Sequence, residues 1–329
     1  MGNIVVVSER PEDLSFAQKV AAQITALTNS STPIEVFECK SVTDLKRYIG
    51  DPKQKEATVF WDIDHKNAIN VAHPLSIGRI TQVLQEWGKP HRTFLLSDQA
   101  LNKTAFMFNL NTFTHHICRQ FDAPAADLIA RTIGGIGKAR EFGMKKYLGE
   151  MNEVTQVKLQ DAKERATQIP IIQEWLTKCE LNPLLATQAT QAVDELLMNA
   201  IFDAPLEGTA NFYRRKQPRG SAFPLKPKEH VTLSYGAEED RVVISVKDQF
   251  GSLKKSTILG SIRRDYEKLD YTPPEKDLGA GLGIYGLIQG GMSLSFVVEP
   301  SVSTEVILIV PNLKSMKAFR SAFRFFCFV

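Results

Sequence analysis

Hydrophobic residues in the first 120 positions form short apolar runs separated by amphipathic stretches. Each run predicts a buried strand, and the runs lie at residues 3–7, 34–37, 57–61, 93–96 and, more weakly, 105–118. Helical spacing of apolar positions predicts helices near 11–28, 41–49 and 76–87, and a closing helix at 122–142. Strands that alternate with helices predict a parallel sheet with helices on both faces.

The second half of the chain has a different pattern. A helix ending near residue 200 is predicted from an apolar face formed by Val193, Leu196, Leu197 and Ala200. Residues 241–247 and 303–311 predict strands, and the apolar run 282–288 predicts a buried helix. The Pro/Gly-rich insertion at 203–227 is expected to be a solvated loop. Its alternative, a basic docking surface, rests on Arg214, Arg215, Lys216 and Arg219.

Length, net charge, cysteine spacing and hydropathy limit the classes of protein to which this chain can belong. A chain of 329 residues is long enough for two domains, and a net charge of +3 is too small to indicate nucleic-acid binding. The four cysteines have no paired or metal-like spacing, which favours a reducing cytosol. The sequence has no signal peptide and no apolar run long enough to span a bilayer, so a cytoplasmic protein is expected.

Three short motifs carry candidate chemistry. In the first, Glu195 and Asn199 stand four residues apart and project from one side of the predicted helix. An amide oxygen is a hard ligand that suits Mg²⁺. An ordinary amphipathic helix with solvated polar positions is the alternative.

In the second motif, Asp248 ends the strand at 241–247 and Gly251 follows, where a glycine lets the backbone approach a neighbour closely. A plain turn would also contain these residues. In the third, Gly279, Gly281 and Gly283 precede an apolar helix and can offer backbone N–H groups to phosphate. No Gly-Lys-Ser/Thr follows, so this is not a P-loop.

In this order, the three motifs and the strand at 303–311 resemble the ATP site of the gyrase/Hsp90/histidine-kinase/MutL (GHKL) superfamily. The resemblance implies that ATP or ADP binds with Mg²⁺. The residues it implicates are Asn199 for Mg²⁺, Asp248 and Gly251 for adenine, Gly279, Gly281 and Gly283 for phosphate, and Thr304 beside the adenine site. Ser303 stands where the superfamily usually has glycine.

The segment from Ile169 to Pro183 resembles the helical opening of anti-sigma-factor serine kinases. This resemblance implies that Glu195 orients or deprotonates the attacking group. None of the six histidines is followed by an acidic residue or lies in the helical region before the ATP domain, so the chain is not a self-sufficient histidine kinase.

The N-terminal part resembles a response-regulator receiver, with Asp62 in the place of the phosphoacceptor and Ser97 in that of the switch residue. Ser8-Glu9 replaces the pair of acids after the first strand, and the Lys-Pro after the fifth strand is missing. A metal site that has lost a carboxylate binds Mg²⁺ poorly. A degenerate receiver used for docking is therefore favoured over a phosphorylatable one.

The predicted fold class is α/β: a parallel doubly wound, receiver-like (flavodoxin-like) domain at 1–135, a linker helix at 136–165, and a two-layer α/β sandwich of the histidine-kinase-like ATPase type at 166–313. The tail 314–329 predicts a basic aromatic helix with Phe319, Phe323 and Phe326 on one face. It is expected to pack on its own domain, with contact to an anionic membrane or a partner groove as the alternative.

These features predict an ATP-dependent regulator that phosphorylates or sequesters a protein partner in the manner of anti-sigma serine kinases. The expected partner is an anti-anti-sigma-like protein, a sigma factor or a phosphorelay protein, and a homodimer is possible; direct nucleic-acid binding is not expected. Two alternatives are a non-catalytic nucleotide-gated switch and a phosphorelay partner with Asp62 as acceptor.

Overall fold

The structure is a computed structural model, and it describes residues 2–54, 56–122, 124–139, 141–149, 152–205, 214, 216–267, 286–287 and 290–329. The chain divides into two compact units, Met1–Lys138 with Phe323–Val329, and Ala139–Ala322. Both contain strands and helices, so the predicted mixed α/β class is confirmed. No helix in the described ranges is both long and apolar enough to cross a membrane.

Five parallel strands form the sheet of the first unit, in the order β2-β1-β3-β4-β5. They are β1 (Ile4–Val7), β2 (Val36–Cys39), β3 (Thr58–Asp62), β4 (Thr93–Ser97) and β5 (His115–Cys118). The weak fifth strand predicted over 105–118 is shorter than expected, because Leu101–Leu110 winds as a 3₁₀-helix before it.

Four helices cover the two faces of this sheet: α1 (Pro11–Thr28), α2 (Val42–Gly50), α3 (Ile77–Trp87) and α4 (Ala125–Gly135). On one face, Phe16 of α1 stacks on Phe60 of β3 with ring centroids 6.0 Å apart. On the other face, the neighbouring strand residue Trp61 packs with Leu45 of α2 and Ile80 of α3. Successive strand side chains point to opposite faces, and both faces are therefore apolar.

The second unit contains an antiparallel sheet in the order β9-β10-β8-β7-β6. Its strands are β6 (Thr155–Leu159), β7 (Val231–Ala237), β8 (Arg241–Asp248), β9 (Ser293–Glu299) and β10 (Ser303–Pro311). Its helices are α5 (Glu164–Lys178), α6 (Pro183–Met198), α7 (Lys255–Glu267) and α8 (Met316–Arg320). Helices α5 and α6 pack together, and α6 packs on β8.

Residues 136–165, predicted as a linker helix, have a different structure. They contain a 3₁₀ turn at Met144–Tyr147 and strand β6, which pairs with β7. The apolar side chains around the turn, at Phe142, Met144, Tyr147 and Leu148, are buried. The turn therefore contributes to the second unit's core and β6 to its sheet, and α5 begins only at Glu164.

The C-terminal tail also differs from its prediction. Only Met316–Arg320 is helical, and Arg324–Phe328 forms strand β11, which pairs antiparallel with β5 in the first unit. Phe323 also lies 6.3 Å from Phe16, measured between ring centroids. The predicted aromatic helix face does not form because Phe323 and Phe326 lie beyond the end of the helix, and both are buried.

Candidate functional site

Asn199 lies where helix α6 ends. The helix start is fixed by Asn182, whose side chain accepts a hydrogen bond from the Leu184 amide at 3.0 Å. From Asn199 to Asp203 the backbone continues as a π-helical turn, a feature that often occurs at functional sites. Asn199 and Asp203 line the same two cavities.

Asp248 ends strand β8 and lies directly opposite Thr304 of β10 in the antiparallel register. Both residues are buried. Asp248 Oδ1 accepts hydrogen bonds from the amides of Phe250 at 2.8 Å and Gly251 at 3.3 Å. Burial raises the pKa of the Asp248 carboxyl to about 6, although these amide hydrogen bonds lower it in part. The group can therefore change its charge near neutral pH.

A cavity of about 190 Å³ brings Asn199, Asp248 and Thr304 together. Its apolar wall includes Leu196, Val246 and Val306. The three polar residues come from α6, β8 and β10, which are far apart in sequence. Apolar walls with a few convergent polar groups are typical of small-molecule sites.

A second cavity, of about 840 Å³, shares Asn199 and Asp203 with the first and is also lined by Glu195 and Arg219. Glu195 is exposed overall. Desolvation of its carboxyl group, and then the nearby charge of Asp194, raise the pKa of Glu195. A carboxyl with a raised pKa is better suited to accept a proton near neutral pH. Glu195 lines this larger cavity and does not line the smaller one.

Gly251 closely approaches another segment of the chain, which the sequence alone did not identify. Its backbone has φ +57°, and a Cβ atom there would lie 2.1 Å from the carbonyl oxygen of Glu299. Its own carbonyl accepts a hydrogen bond from the Ser301 amide at 3.2 Å. The glycine is therefore required for packing against the turn between β9 and β10. The predicted phosphate-binding residues Gly279, Gly281 and Gly283 lie outside the described residues.

The described residues contain no cluster of three or more His, Cys, Asp or Glu side chains that could hold a metal ion by themselves. Mg²⁺ bound with nucleotide phosphates needs only one or two protein ligands. The Nδ2 atom of Asn199 is buried and has no hydrogen-bond partner among these residues. An unsatisfied amide can bind a ligand through its nitrogen or, after a half-turn, through its oxygen. Asn199 therefore fits the role of a Mg²⁺ ligand.

The first unit has a separate charged cluster at the carboxyl ends of its parallel strands. Arg119, directly after β5, donates from Nε to Asp13 Oδ1 at 2.8 Å and from Nη2 to Asp13 Oδ2 at 3.1 Å. Its guanidinium also pairs with Asp62 and lies 3.4 Å from Asp98 and 3.5 Å from Asp64. Burial opposes the charge, but the carboxylates of Asp13 and Asp62 outweigh it and raise the pKa of Arg119. Arg119 therefore stays charged.

Asp62, the predicted phosphoacceptor, is fully buried within this cluster. Its Oδ1 accepts a hydrogen bond from the Asp64 amide at 2.8 Å, and its Oδ2 lies 3.3 Å from Ser8 Oγ and 3.4 Å from Arg10 Nε. Ser97, the predicted switch residue, donates to Asp64 at 2.8 Å. Both oxygens of Asp62 are thus already engaged.

Sequence reasoning missed Arg119, Asp13 and the pair Asp203–Arg219. The available signal for Arg119 was a basic residue directly after the fifth strand, where the receiver resemblance implies a lysine. Asp13 lies in α1, 106 positions from its partner. Two of the four basic residues on which the docking-surface alternative rests form ion pairs, Arg214 with Glu229 and Arg219 with Asp203. These two are not part of a free basic surface.

Comparison with known proteins assigns no family to this chain. No protein-family model and no curated protein sequence matches it. The functional assignment therefore rests on the residues and their geometry.

Proposed function

We propose that the second unit binds ATP with Mg²⁺ as a GHKL-type domain, and that the protein is an ATP-dependent regulator of a protein partner. The observation that carries this proposal is the meeting of Asn199, Asp248 and Thr304 at one cavity. Each was implicated by a separate motif. Successive members of the set are separated by up to 56 positions in the chain, so only the folding of α6, β8 and β10 brings them together.

In this proposal the two cavities bind different parts of the nucleotide. The smaller one holds Asp248 between apolar walls and suits adenine, whose exocyclic amine donates to a carboxylate. The larger one is polar and suits the phosphates. Asn199 lines both, so it would ligate Mg²⁺ beside the phosphates. When bound, Mg²⁺ neutralises charge on the phosphate oxygens.

Glu195 supports an enzymatic role because it lines the phosphate side of the site and has a raised pKa. In the proposed transfer, a Ser or Thr hydroxyl of the partner attacks the γ-phosphorus of ATP. The hydroxyl proton passes to Glu195 and ADP leaves, with most of the acceleration supplied by positioning and charge. The alternative is a non-catalytic switch, in which nucleotide binding alone changes partner affinity.

Glu195→Gln separates these two functions. The protein is incubated with labelled ATP and a lysate of its source, and labelled proteins are identified; nucleotide affinity is measured in parallel. The kinase function predicts that Glu195→Gln binds ATP normally and labels no partner. Normal partner regulation by Glu195→Gln, with no labelling by either protein, would support the switch instead.

For the first unit we propose a degenerate receiver-like docking domain. The strand order β2-β1-β3-β4-β5 is the order of flavodoxin-like folds, and Asp62 stands at the carboxyl end of the central strand, where such folds bind ligands. The engagement of both Asp62 oxygens favours docking over phosphoryl acceptance.

A further inference from the structure

Two residues that line the larger cavity of the second unit each have a buried N–H donor without a partner among the described residues. These donors are Nη1 of Arg219 and Nδ2 of Asn199. A buried donor left unpaired costs free energy, so two of them at one cavity indicate a ligand that accepts hydrogen bonds. The third such atom, Gln188 Oε1, is an acceptor and would not contact a phosphate.

Arg219 is held in place by the π-helical turn that begins at Asn199. Its Nη2 donates to both carboxylate oxygens of Asp203, at 2.8 Å and 3.1 Å. Its guanidinium carbon also lies 5.2 Å from the centre of the Phe202 ring. These two contacts orient the guanidinium through one edge and one face, and its Nη1 has no hydrogen-bond partner among the described residues.

The charges that line the cavity single out Arg219. Among the described residues that line it, Arg219 is the one cation, beside the carboxylates of Asp194, Glu195 and Asp203. Asp194 is already paired with Arg165. A polyphosphate in this cavity needs a positive group near its oxygens, and a guanidinium forms strong charge-assisted hydrogen bonds with phosphate.

We infer that Arg219 binds the β- or γ-phosphate of the nucleotide, so that the insertion at 203–227 supplies a phosphate ligand. This inference rests on the proposed nucleotide function. It distinguishes Arg219, which lines the larger cavity, from Arg214 of the same insertion, which lines neither of the two cavities, is buried against Glu229 and lies 5.2 Å from the Phe223 ring centre. Arg214 has a structural role, and Arg219 a binding one.

The test is calorimetry with ATP, ADP and AMP in the presence of Mg²⁺. Arg219→Gln should weaken ATP binding roughly 10- to 100-fold, as expected for loss of a hydrogen bond between charged groups, and should change AMP binding by less than about twofold. Asp203→Asn should weaken ATP binding less than Arg219→Gln does, because it keeps the guanidinium and removes a carboxylate that repels phosphate, although it weakens one contact that orients Arg219. Lys216→Gln is the matched control, since it removes an exposed charge from the same segment that lines neither cavity.

Arg219→Gln that binds ATP like wild type would overturn the inference. So would equal losses of ATP and AMP affinity in Arg219→Gln and Asp203→Asn, since the ion pair would then matter only for structure. If Arg219→Gln does not fold, Arg219→Lys replaces it and should show a lowered ratio of ATP to AMP affinity; an unchanged ratio would overturn the inference. Wild-type protein that binds none of the three nucleotides would instead refute the proposed function, and the inference with it.

Discussion

Arg119 shows how one side chain can determine the character of a site. It contacts Asp13 and Asp62, both without solvent exposure, and its own side chain is only 4% exposed. Charges in such a place are tolerated only when they are paired and hydrogen-bonded. The guanidinium thus holds together the carboxylates at the carboxyl ends of the parallel strands.

Removal of this cation should destabilise the first unit strongly. Arg119→Met leaves the buried carboxylates without a counter-charge, and we expect a loss of about 3–5 kcal/mol in the free energy of unfolding. Urea-dependent hydrogen exchange of β1 and β3 measures it. The matched control is Lys46→Met, which breaks an exposed pair with Glu86 and should cost no more than about 1 kcal/mol. Equal effects of the two substitutions would contradict this account of the cluster.

The raised pKa of Asp248 predicts a pH dependence of nucleotide binding. Because that pKa is about 6, the group is a carboxylate above this pH and becomes protonated below it. Protonation removes the charged acceptor for the adenine amine, so ATP affinity should fall as the pH is lowered from 7 to 5. Titrations at several pH values measure the change. Asp248→Asn should lack this part of the dependence, although ionisation of ATP itself affects both proteins; identical profiles would make Asp248 a turn residue only.

Asn199 and Asp248 could be named as candidates because each belongs to a local pattern, a helical i, i+4 pair in one case and a strand end in the other. Arg119 could not be assigned its role in this way, since its partners are spread over β3, β4 and α1. The role of Gly251 also depends on a distant segment, the turn at Glu299–Val302. The roles of Arg119 and Gly251 therefore depend on long-range packing and cannot be predicted from short motifs.

Strand β11 illustrates the same limit for a whole element. Phe326 of this strand shares a predicted helical face with Phe319 and Phe323, and helical spacing was the stronger local signal. Pairing with β5 supplies backbone hydrogen bonds and burial on both sides, and this tertiary gain outweighs local preference. The tail is therefore a structural part of the first unit.

Deletion of residues 323–329 should expose the edge of β5 and destabilise the first unit. We expect faster hydrogen exchange in His115–Cys118 and β4, with little change in β7 and β8 of the second unit. Phe325→Pro, which removes one backbone donor opposite Ile117, should give a smaller effect in the same region. Unchanged exchange in β5 after the deletion would show that β11 contributes no stability there.

In the whole molecule, the two units differ in how well the sequence predicted them. The alternation of strands and helices was sufficient for the parallel sheet of the first unit. The boundary between the two units was harder to predict, because β6 and the buried turn at Met144–Tyr147 carry no strong periodic signal. The chain returns to the first unit at Phe323. No local pattern in the sequence distinguishes this return from a separate tail.

The first unit should not accept phosphate from small donors. Asp62 is buried and paired with Arg119, so a donor cannot approach it without breaking the cluster. After treatment with acetyl phosphate and Mg²⁺, the intact mass should be unchanged. A gain of one phosphate that disappears in Asp62→Ala would show a live site and would favour the phosphorelay alternative.

Calorimetric titration of the full chain with ATP, with and without Mg²⁺, tests the central claim most directly. The account predicts that wild type binds ATP, that removal of Mg²⁺ weakens binding, and that Asn199→Ala weakens it too, by roughly 1–3 kcal/mol. Because Asn199 acts through the metal, its substitution should have little further effect once Mg²⁺ is removed. Equal ATP affinity for wild type and Asn199→Ala, with and without Mg²⁺, would contradict the assignment of this site.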